Sequence, residues 1–256
     1  MEIVICPDRS SGTKVAAAIV ARYLQREQPV LGLATGGTPE SLYRLLVERY
    51  QQGKLSFRHC ITFNLDEYVG LAPTHPQSYY HYMRQHLGDR VDLDPSKMHI
   101  PPGTPTDPTA LRQICHDYES KIAATGGIQL QILGIGANGH IGFNEPMSSL
   151  ASRTGLRVLS RQTRADNARF FDRSESVPRH AISMGIGTIL EAEHCLLLAF
   201  GTKKAKAIAA AIEGPVSARC PASALQMHPQ VTIVLDEAAA TLLEYRQDYD
   251  WAAANA

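Results

Sequence analysis

Val30-Leu31-Gly32-Leu33, then Ala34-Thr35-Gly36-Gly37-Thr38-Pro39, then Glu40-Ser41-Leu42-Tyr43-Arg44-Leu45-Leu46-Val47-Glu48-Arg49-Tyr50 follow one another without a break. The first piece is a short apolar run suited to a buried strand. The second is a turn. The third sets Leu42, Leu45, Leu46 and Val47 on one side of a helix. The same alternation runs outward in both directions. Glu2–Cys6, Cys60–Leu65, Gln129–Leu133, Cys195–Phe200 and Val231–Leu235 read as strands. Thr13–Glu27, Tyr79–Leu87, Thr109–Ala124, Lys203–Ile212 and Glu237–Tyr245 read as helices. Alternating strands and helices predict an α/β fold: a doubly wound, mostly parallel sheet with helices on both faces, Rossmann-like in architecture. There is no internal repeat, low-complexity tract or linker, so residues 1–256 read as one domain. Ser148–Pro178 is polar and arginine-rich without a clear strand, and predicts a lid or an excursion from the main layer, at approximately 148–180.

Composition limits the function classes. The chain has 256 residues, 44% hydrophobic and 20% charged, with 25 Lys+Arg balancing 25 Asp+Glu. Disordered chains need the opposite balance. Zero net charge argues against a nucleic-acid or anionic-membrane partner, but leaves room for local cations around a small anion. No apolar run approaches the ~20 residues that span a bilayer, and Met1-Glu2-Ile3-Val4 lacks the basic and apolar regions of a signal peptide. The five cysteines are scattered and form no CxxC pair, which predicts reduced thiols in a cytoplasmic protein.

In open α/β sheets ligands bind beyond the carboxyl ends of the strands. Three strand-end loops therefore carry the argument. In Thr35-Gly36-Gly37-Thr38-Pro39, Thr38 is placed to cap a helix and Pro39 to begin it. The helix amides and dipole would favour an anion such as phosphate. A tight, well-capped turn explains the same residues, and both readings stand. In Asn64-Leu65-Asp66-Glu67-Tyr68, two carboxylates end a strand. Strand side chains alternate faces, so only one of Asp66 and Glu67 reaches a shared site. Simple solvation of strand-end acids is the competing reading. The third loop, Gly134-Ile135-Gly136-Ala137-Asn138-Gly139-His140-Ile141-Gly142-Phe143-Asn144-Glu145-Pro146, contains GxGxxG. No helix pattern follows it and no acidic residue ends a next strand, so the dinucleotide reading is not supported. His140 beside Glu145 instead suits acid–base work, because a carboxylate can orient an imidazole that titrates near neutral pH. A capped loop with an incidental histidine remains the alternative. No metal site is expected, since His140 and Glu145 lack ligand spacing.

Arg153, Arg157, Arg161, Arg164 and Arg169 gather in the polar stretch, and Lys203, Lys204 and Lys206 open a helix after a strand. Such cations suit a phosphorylated substrate, although most are expected to be ordinary surface charges.

At these loops the chain resembles the glucosamine-6-phosphate deaminases, aldose–ketose isomerases that also release the amine. The matching stretches are LGLATGGTPESLYRLL (31–46), SFRHCITFNLDEYVGL (56–71), HPQSYYHYM (75–83), LGIGANGHIGFNEPMSSLASRT (133–154), TRADNARFF (163–171) and AFGTKKAKAIAAAIEG (199–214). They cover nearly the whole chain in the family's order, and NLDEYVGL with GANGHIGFNEP is highly specific. The resemblance implies that Asp66 moves the C2 proton, that His140 opens the sugar ring, and that Glu145 supports His140. Asn138 stands where some members have Asp, and completes the ring-opening set without a charge. Gly36, Gly37, Thr38, Arg169 and Lys204 would hold the phosphate. The implied reaction converts glucosamine 6-phosphate to fructose 6-phosphate and ammonia, with no metal or organic cofactor. The family includes hexamers and simpler forms, so a homo-oligomer is among the implied assemblies. Regulated members carry an extra Arg where Gly155 stands, so activation by N-acetylglucosamine 6-phosphate is not expected. Two other readings compete. The related 6-phosphogluconolactonases hydrolyse a lactone on the same fold and need no C2 base. Sugar-phosphate sensors use a similar domain without catalysis, joined to a DNA-binding module.

Overall fold

A computed structural model describes residues 1–172 and 176–255. Residues 173–175, inside the expected lid, and Ala256, at the end of the expected domain, lie outside the described residues. In chain order the elements are β1 (Glu2–Cys6), α1 (Arg9–Leu24), β2 (Val30–Leu33), α2 (Glu40–Gln51), β3 (Ile61–Asn64), β4 (Asp66–Tyr68), α3 (Tyr79–His86), β5 (Met98–His99), α4 (Pro108–Ala124) and β6 (Leu130–Gly134). There follow β7 (Gly155–Val158), α5 (Arg161–Asn167), β8 (His180–Ser183), α6 (Ile186–Leu190), β9 (His194–Ala199), α7 (Ala205–Ile212), β10 (Val231–Asp236) and α8 (Arg246–Ala254).

The main sheet has seven strands in the order β1-β10-β9-β6-β2-β3-β5. Every neighbouring pair is parallel. A parallel sheet covered on both faces needs apolar residues at every position, not alternate ones. All residues of β2, β3, β9 and β10 are buried, and they are apolar except Thr62, Asn64, His194, Thr232 and Asp236. The expected doubly wound α/β architecture is therefore present, and its principal sheet is wholly parallel. A second, three-stranded antiparallel sheet, β4-β8-β7, stands beyond it.

From β2 the chain adds β3 and β5 on one side, then returns to lay β6, β9 and β10 on the other. The reversal lies between β2 and β6, and in open α/β sheets ligands bind outside the strands' carboxyl ends at such a point. Four adjacent strands, β9-β6-β2-β3, send their next loops to this edge. Those loops carry Lys204, the Asn138–Glu145 segment, Gly36–Thr38 and Asp66.

Three local expectations fail for identifiable reasons. Helix α2 starts at Glu40; Pro39 occupies the cap position, and no side chain, Thr38 included, caps it. Glu237–Tyr245 is not helical. The Asp236 carboxylate takes the amides of Gly201 (2.9 and 3.0 Å) and Ala239 (2.8 Å), which competes with helical bonding. The Glu213 carboxylate takes the amides of Glu244 and Tyr245, so the helix begins only at Arg246. Finally, the polar stretch 148–178 does contain a strand, β7. Its pattern is inverted: Leu156 and Val158 are exposed, and Gly155 and Arg157 face inward. Arg157 turns in because its Nε donates to the buried Asn144 Oδ1 (3.2 Å).

At the opposite edge, the amino ends of the central strands share a closed polar chain. The Tyr23 hydroxyl bonds His194 Nδ1 (3.0 Å), His194 Nε2 bonds Thr232 Oγ1 (3.0 Å), and Thr232 Oγ1 donates to Glu2 (2.8 Å). Because Thr232 spends its proton on Glu2, it accepts from His194, so Nε2 carries hydrogen and Nδ1 accepts from Tyr23. The ring is neutral, and burial holds its pKa below the ordinary value. Glu2 and Glu193 pull it back up, and Arg22 and His228 press it down. A depressed histidine contributes stability above the unfolded pKa of ~6.5 that is lost as pH falls through the folded value. His194→Gln is expected to cost about 2 kcal/mol near neutrality, and to lose less stability than the parent between pH 7 and 5 in thermal denaturation. Equal acid sensitivity in both proteins would remove this role.

Candidate active site

The loop after β6 closes on itself: the Gly136 amide donates to the His140 carbonyl (2.9 Å) and the Gly139 amide to the Gly136 carbonyl (3.0 Å). The His140 ring lies flat against Gly136, where a Cβ would sit 2.2 Å from the ring. Only glycine admits that approach.

The loop's polar side chains form a directed chain. Glu145 Oε2 accepts from Asn138 Nδ2 (2.8 Å), which orients the amide so that Asn138 Oδ1 faces His140 Nδ1 (2.7 Å). A carboxylate donates nothing, so the order is fixed: Glu145 takes the amide hydrogen, Asn138 Oδ1 takes the Nδ1 hydrogen, and His140 Nε2 is left with its lone pair. Glu145 reaches Nδ1 only at 3.7 Å. Its support of His140 therefore passes through Asn138. Burial holds the His140 pKa below its ordinary value, with Lys204 adding to the effect and Glu145 and Asp166 opposing it. Burial would raise Glu145, but the Thr163 hydroxyl, His140, Asn138 and the Ser160 amide together hold it below its ordinary value. The imidazole is neutral and the carboxylate ionised at neutral pH.

Asp66 and Glu67 part company as strand alternation requires. Glu67 accepts the amides of Tyr68 (2.8 Å), Tyr79 (2.9 Å) and Tyr80 (2.9 Å), closing the start of α3. Burial still pushes it up to about 7 against these donors. Glu67 is thus committed to structure. Asp66 faces the other way: its Oδ2 lies 3.6 Å from where a Cβ on Gly142 would stand, two residues from His140. Burial first, and the Glu67 charge second, raise its pKa well above the carboxylate range. A carboxylate so placed is a stronger proton acceptor than one in water.

Gly36 has φ 96°, a backbone that L side chains resist, and a Cβ at Gly36 or Gly37 would meet nothing within 4 Å. The turn is tethered from behind: Tyr43 Oη donates to the Ala34 carbonyl and Tyr82 Oη to the Gly36 carbonyl (2.9 Å). Lys204 follows β9 in a 3-10 turn (Thr202–Lys204), and its Nζ donates to the Ile135 carbonyl at the root of the His140 loop (2.6 Å). Burial lowers its pKa; the Asp166 charge opposes this and the Arg169 charge adds to it. Arg169 is exposed on the turn Ala168–Phe170, its guanidinium 4.7 Å over the Phe170 ring. Among the described residues no group of three or more His, Cys, Asp or Glu is arranged to hold a metal, and no helix is long and apolar enough to cross a membrane.

Sequence reasoning missed the tyrosines Tyr43 and Tyr82, the glycine contact at Gly136, and the residues behind Glu145. There, Thr163 Oγ1 and the Ser160 amide (3.2 Å) both donate to Glu145 Oε1. Thr163 opens the quoted run TRADNARFF, so the segment was visible, but its direction was not.

Comparison with known proteins shows the family and the fold. Residues 9–234 match the family model described as glucosamine-6-phosphate isomerases/6-phosphogluconolactonase. A glucosamine-6-phosphate deaminase of Rhodopirellula baltica is 53% identical over 247 residues, 96% of this chain and 97% of that protein. The solved structure of a monomeric glucosamine-6-phosphate deaminase superposes with TM-score 0.91 at 44% identity, covering 94% of this chain and 100% of that one. A 6-phosphogluconolactonase from Trypanosoma cruzi shares the fold alone, with TM-score 0.73 at 20% identity over 95% of this chain and 97% of that one. The chain belongs to the family of glucosamine-6-phosphate isomerases and 6-phosphogluconolactonases.

Proposed function

We propose that the protein converts D-glucosamine 6-phosphate to D-fructose 6-phosphate and ammonia. The observation that carries the reading is the buried, proton-hungry Asp66 carboxylate beside the loop that presents His140 Nε2. A lactonase has no use for a base at C2.

The pyranose opens first. His140 Nε2 takes the proton from O1 and returns it to the ring oxygen, which a neutral imidazole with one free lone pair can do. Asp66 then takes the proton from C2 and delivers it to C1 through an enolamine. The resulting imine at C2 takes up water and expels ammonia. Nothing is oxidised or reduced. The phosphate would rest on the uncapped start of α2 at Gly36, Gly37 and Thr38, with Lys204 and Arg169 supplying charge. Binding energy from that remote group positions the reacting carbons.

We also take residues 1–256 as one domain, with 148–180 acting as a lid. Docking of its Asn167 Nδ2 on the Tyr68 hydroxyl (2.9 Å) and of Phe171 against the Tyr68 ring (5.7 Å) supports the lid. Five buried free cysteines support a reducing, cytoplasmic setting.

The deciding experiment is ammonia release from glucosamine 6-phosphate by the purified protein, beside hydrolysis of 6-phosphogluconolactone. Ammonia release without lactonase activity is expected; the reverse would transfer the protein to the hydrolases. Asp66→Asn should lower ammonia release by about a thousandfold with an unchanged circular dichroism spectrum. In the parent, kcat/KM should fall on the acid side at a pH above the ordinary carboxylate range, because Asp66 works only when ionised. Arg169→Ala should raise KM by roughly thirtyfold, equivalent to ~2 kcal/mol for a charged hydrogen bond, and leave kcat nearly unchanged. A large loss in kcat instead would place Arg169 nearer the reacting carbons.

A further inference from the structure

Glu145 is held from two sides. The loop after β6 holds Oε2 through Asn138, and the start of α5 holds Oε1 through Ser160 and Thr163. Thr163 is buried, 3% exposed. Its amide donates to Ser160 Oγ (3.1 Å), and Ser160 Oγ in turn donates to Thr163 Oγ1 (3.0 Å). With its acceptor side filled, the threonine hydroxyl has one proton and sends it to Glu145. The two oxygens of one carboxylate thus join a helix cap to the histidine loop.

We propose that Thr163 is a positioning residue for proton transfer: its hydroxyl fixes Glu145 so that the other oxygen orients Asn138, and Asn138 sets the His140 tautomer. The proposal rests on the deaminase reading, in which His140 Nε2 moves the O1 proton. Thr163 does not touch the sugar in this scheme. Without the hydroxyl, Glu145 keeps one amide donor on Oε1, gains affinity for a proton, and is free to turn from Asn138. The titratable group facing Glu145 is His140, at 3.7 Å; Lys204 and Asp166 act on His140 behind it. The other partners of Glu145 are neutral donors. The same segment also runs on from α5 into the turn that carries Arg169. One short stretch therefore supports the proton relay and supplies a cation to the phosphate.

The test is the pH profile of ammonia release, from pH 5 to 9, for the parent, Thr163→Val and Thr163→Ser, with melting temperatures recorded for each. Valine matches threonine in shape and lacks the hydroxyl, both the donor to Glu145 and the acceptor for Ser160 Oγ. Thr163→Val should lose about tenfold in kcat, the low end for a hydrogen bond to a charged group. Its acid limb, set in the parent by Asp66, should steepen and shift upward because Glu145 now takes a second proton within the range, with KM within about twofold of the parent. Thr163→Ser should restore most of both. In a Glu145→Gln background Thr163→Val should have little further effect on kcat, as expected of residues acting in one chain. If valine lowers the melting temperature sharply, Thr163→Ala carries the same comparison. A Thr163→Val enzyme with the parent's kcat and acid limb overturns the proposal. So does one whose KM rises while the acid limb stays, because the hydroxyl would then only be holding Arg169 in place. A parent protein that releases no ammonia overturns the deaminase reading itself, and is told apart by the first measurement.

Discussion

A sheet in which every neighbour runs parallel must bury both faces, and it must return the chain to the same edge after each strand. That constraint organises the rest of the molecule. The apolar strands β9, β10, β2 and β3 tolerate few polar groups along their length, so chemistry is displaced to the loops at their carboxyl ends. The winding direction changes between β2 and β6, the point at which open α/β sheets bind ligands. Residues as distant in sequence as Gly36, Asp66, His140 and Lys204 reach that edge because four adjacent strands end there.

At that edge, environment separates carboxylates that would behave alike in water. Asp66 lies buried with another carboxylate next to it, so its proton affinity rises. Glu145 is also partly buried, but hydroxyl, amide and imidazole partners outweigh the cost and keep it ionised. Glu67, adjacent to Asp66, accepts two amides at the start of α3 and that of Tyr68 beside it. In the proposed reaction the three acids thus serve as base, orienting anion and helix cap. Pushing proton affinities apart in this way is a general route to acid–base work at neutral pH.

Neutral Asn138 is well suited to its place. A second carboxylate there would put two negative charges near one imidazole and raise its pKa. The amide instead passes orientation from Glu145 to His140 while leaving the ring uncharged, with donor and acceptor faces fixed by what each neighbour can offer. The small second sheet has a matching task. Its β8 supplies Ser183, which accepts the Phe143 amide (3.0 Å) beside Gly142, and its β7 supplies Arg157, which binds Asn144. The His140 loop is therefore braced from the side that the main sheet does not reach.

Much of this was legible along the chain. Continuous apolar runs such as Cys195-Leu196-Leu197-Leu198-Ala199 declare buried parallel strands, because no other element of that length needs apolar residues at every position. Strand alternation at Asp66-Glu67 was enough to say that one carboxylate would face away. Motifs at strand ends named the residues of the site. What stayed hidden depends on partners far away in sequence. β7 escaped notice because Arg157 points inward to Asn144, which inverts its pattern. The Glu237–Tyr245 helix failed because Asp236 and Glu213 take amides that a helix would have used. The Glu145–Asn138–His140 order, and the role of Thr163 behind it, follow from which atom donates to which. Periodicity and composition are local properties, so the sequence alone determined the layers and the reactive loops. Hydrogen-bond direction and burial belong to the assembled tertiary structure, and these decided which acid has its proton affinity raised by burial, which is a cap, and which nitrogen of His140 is free.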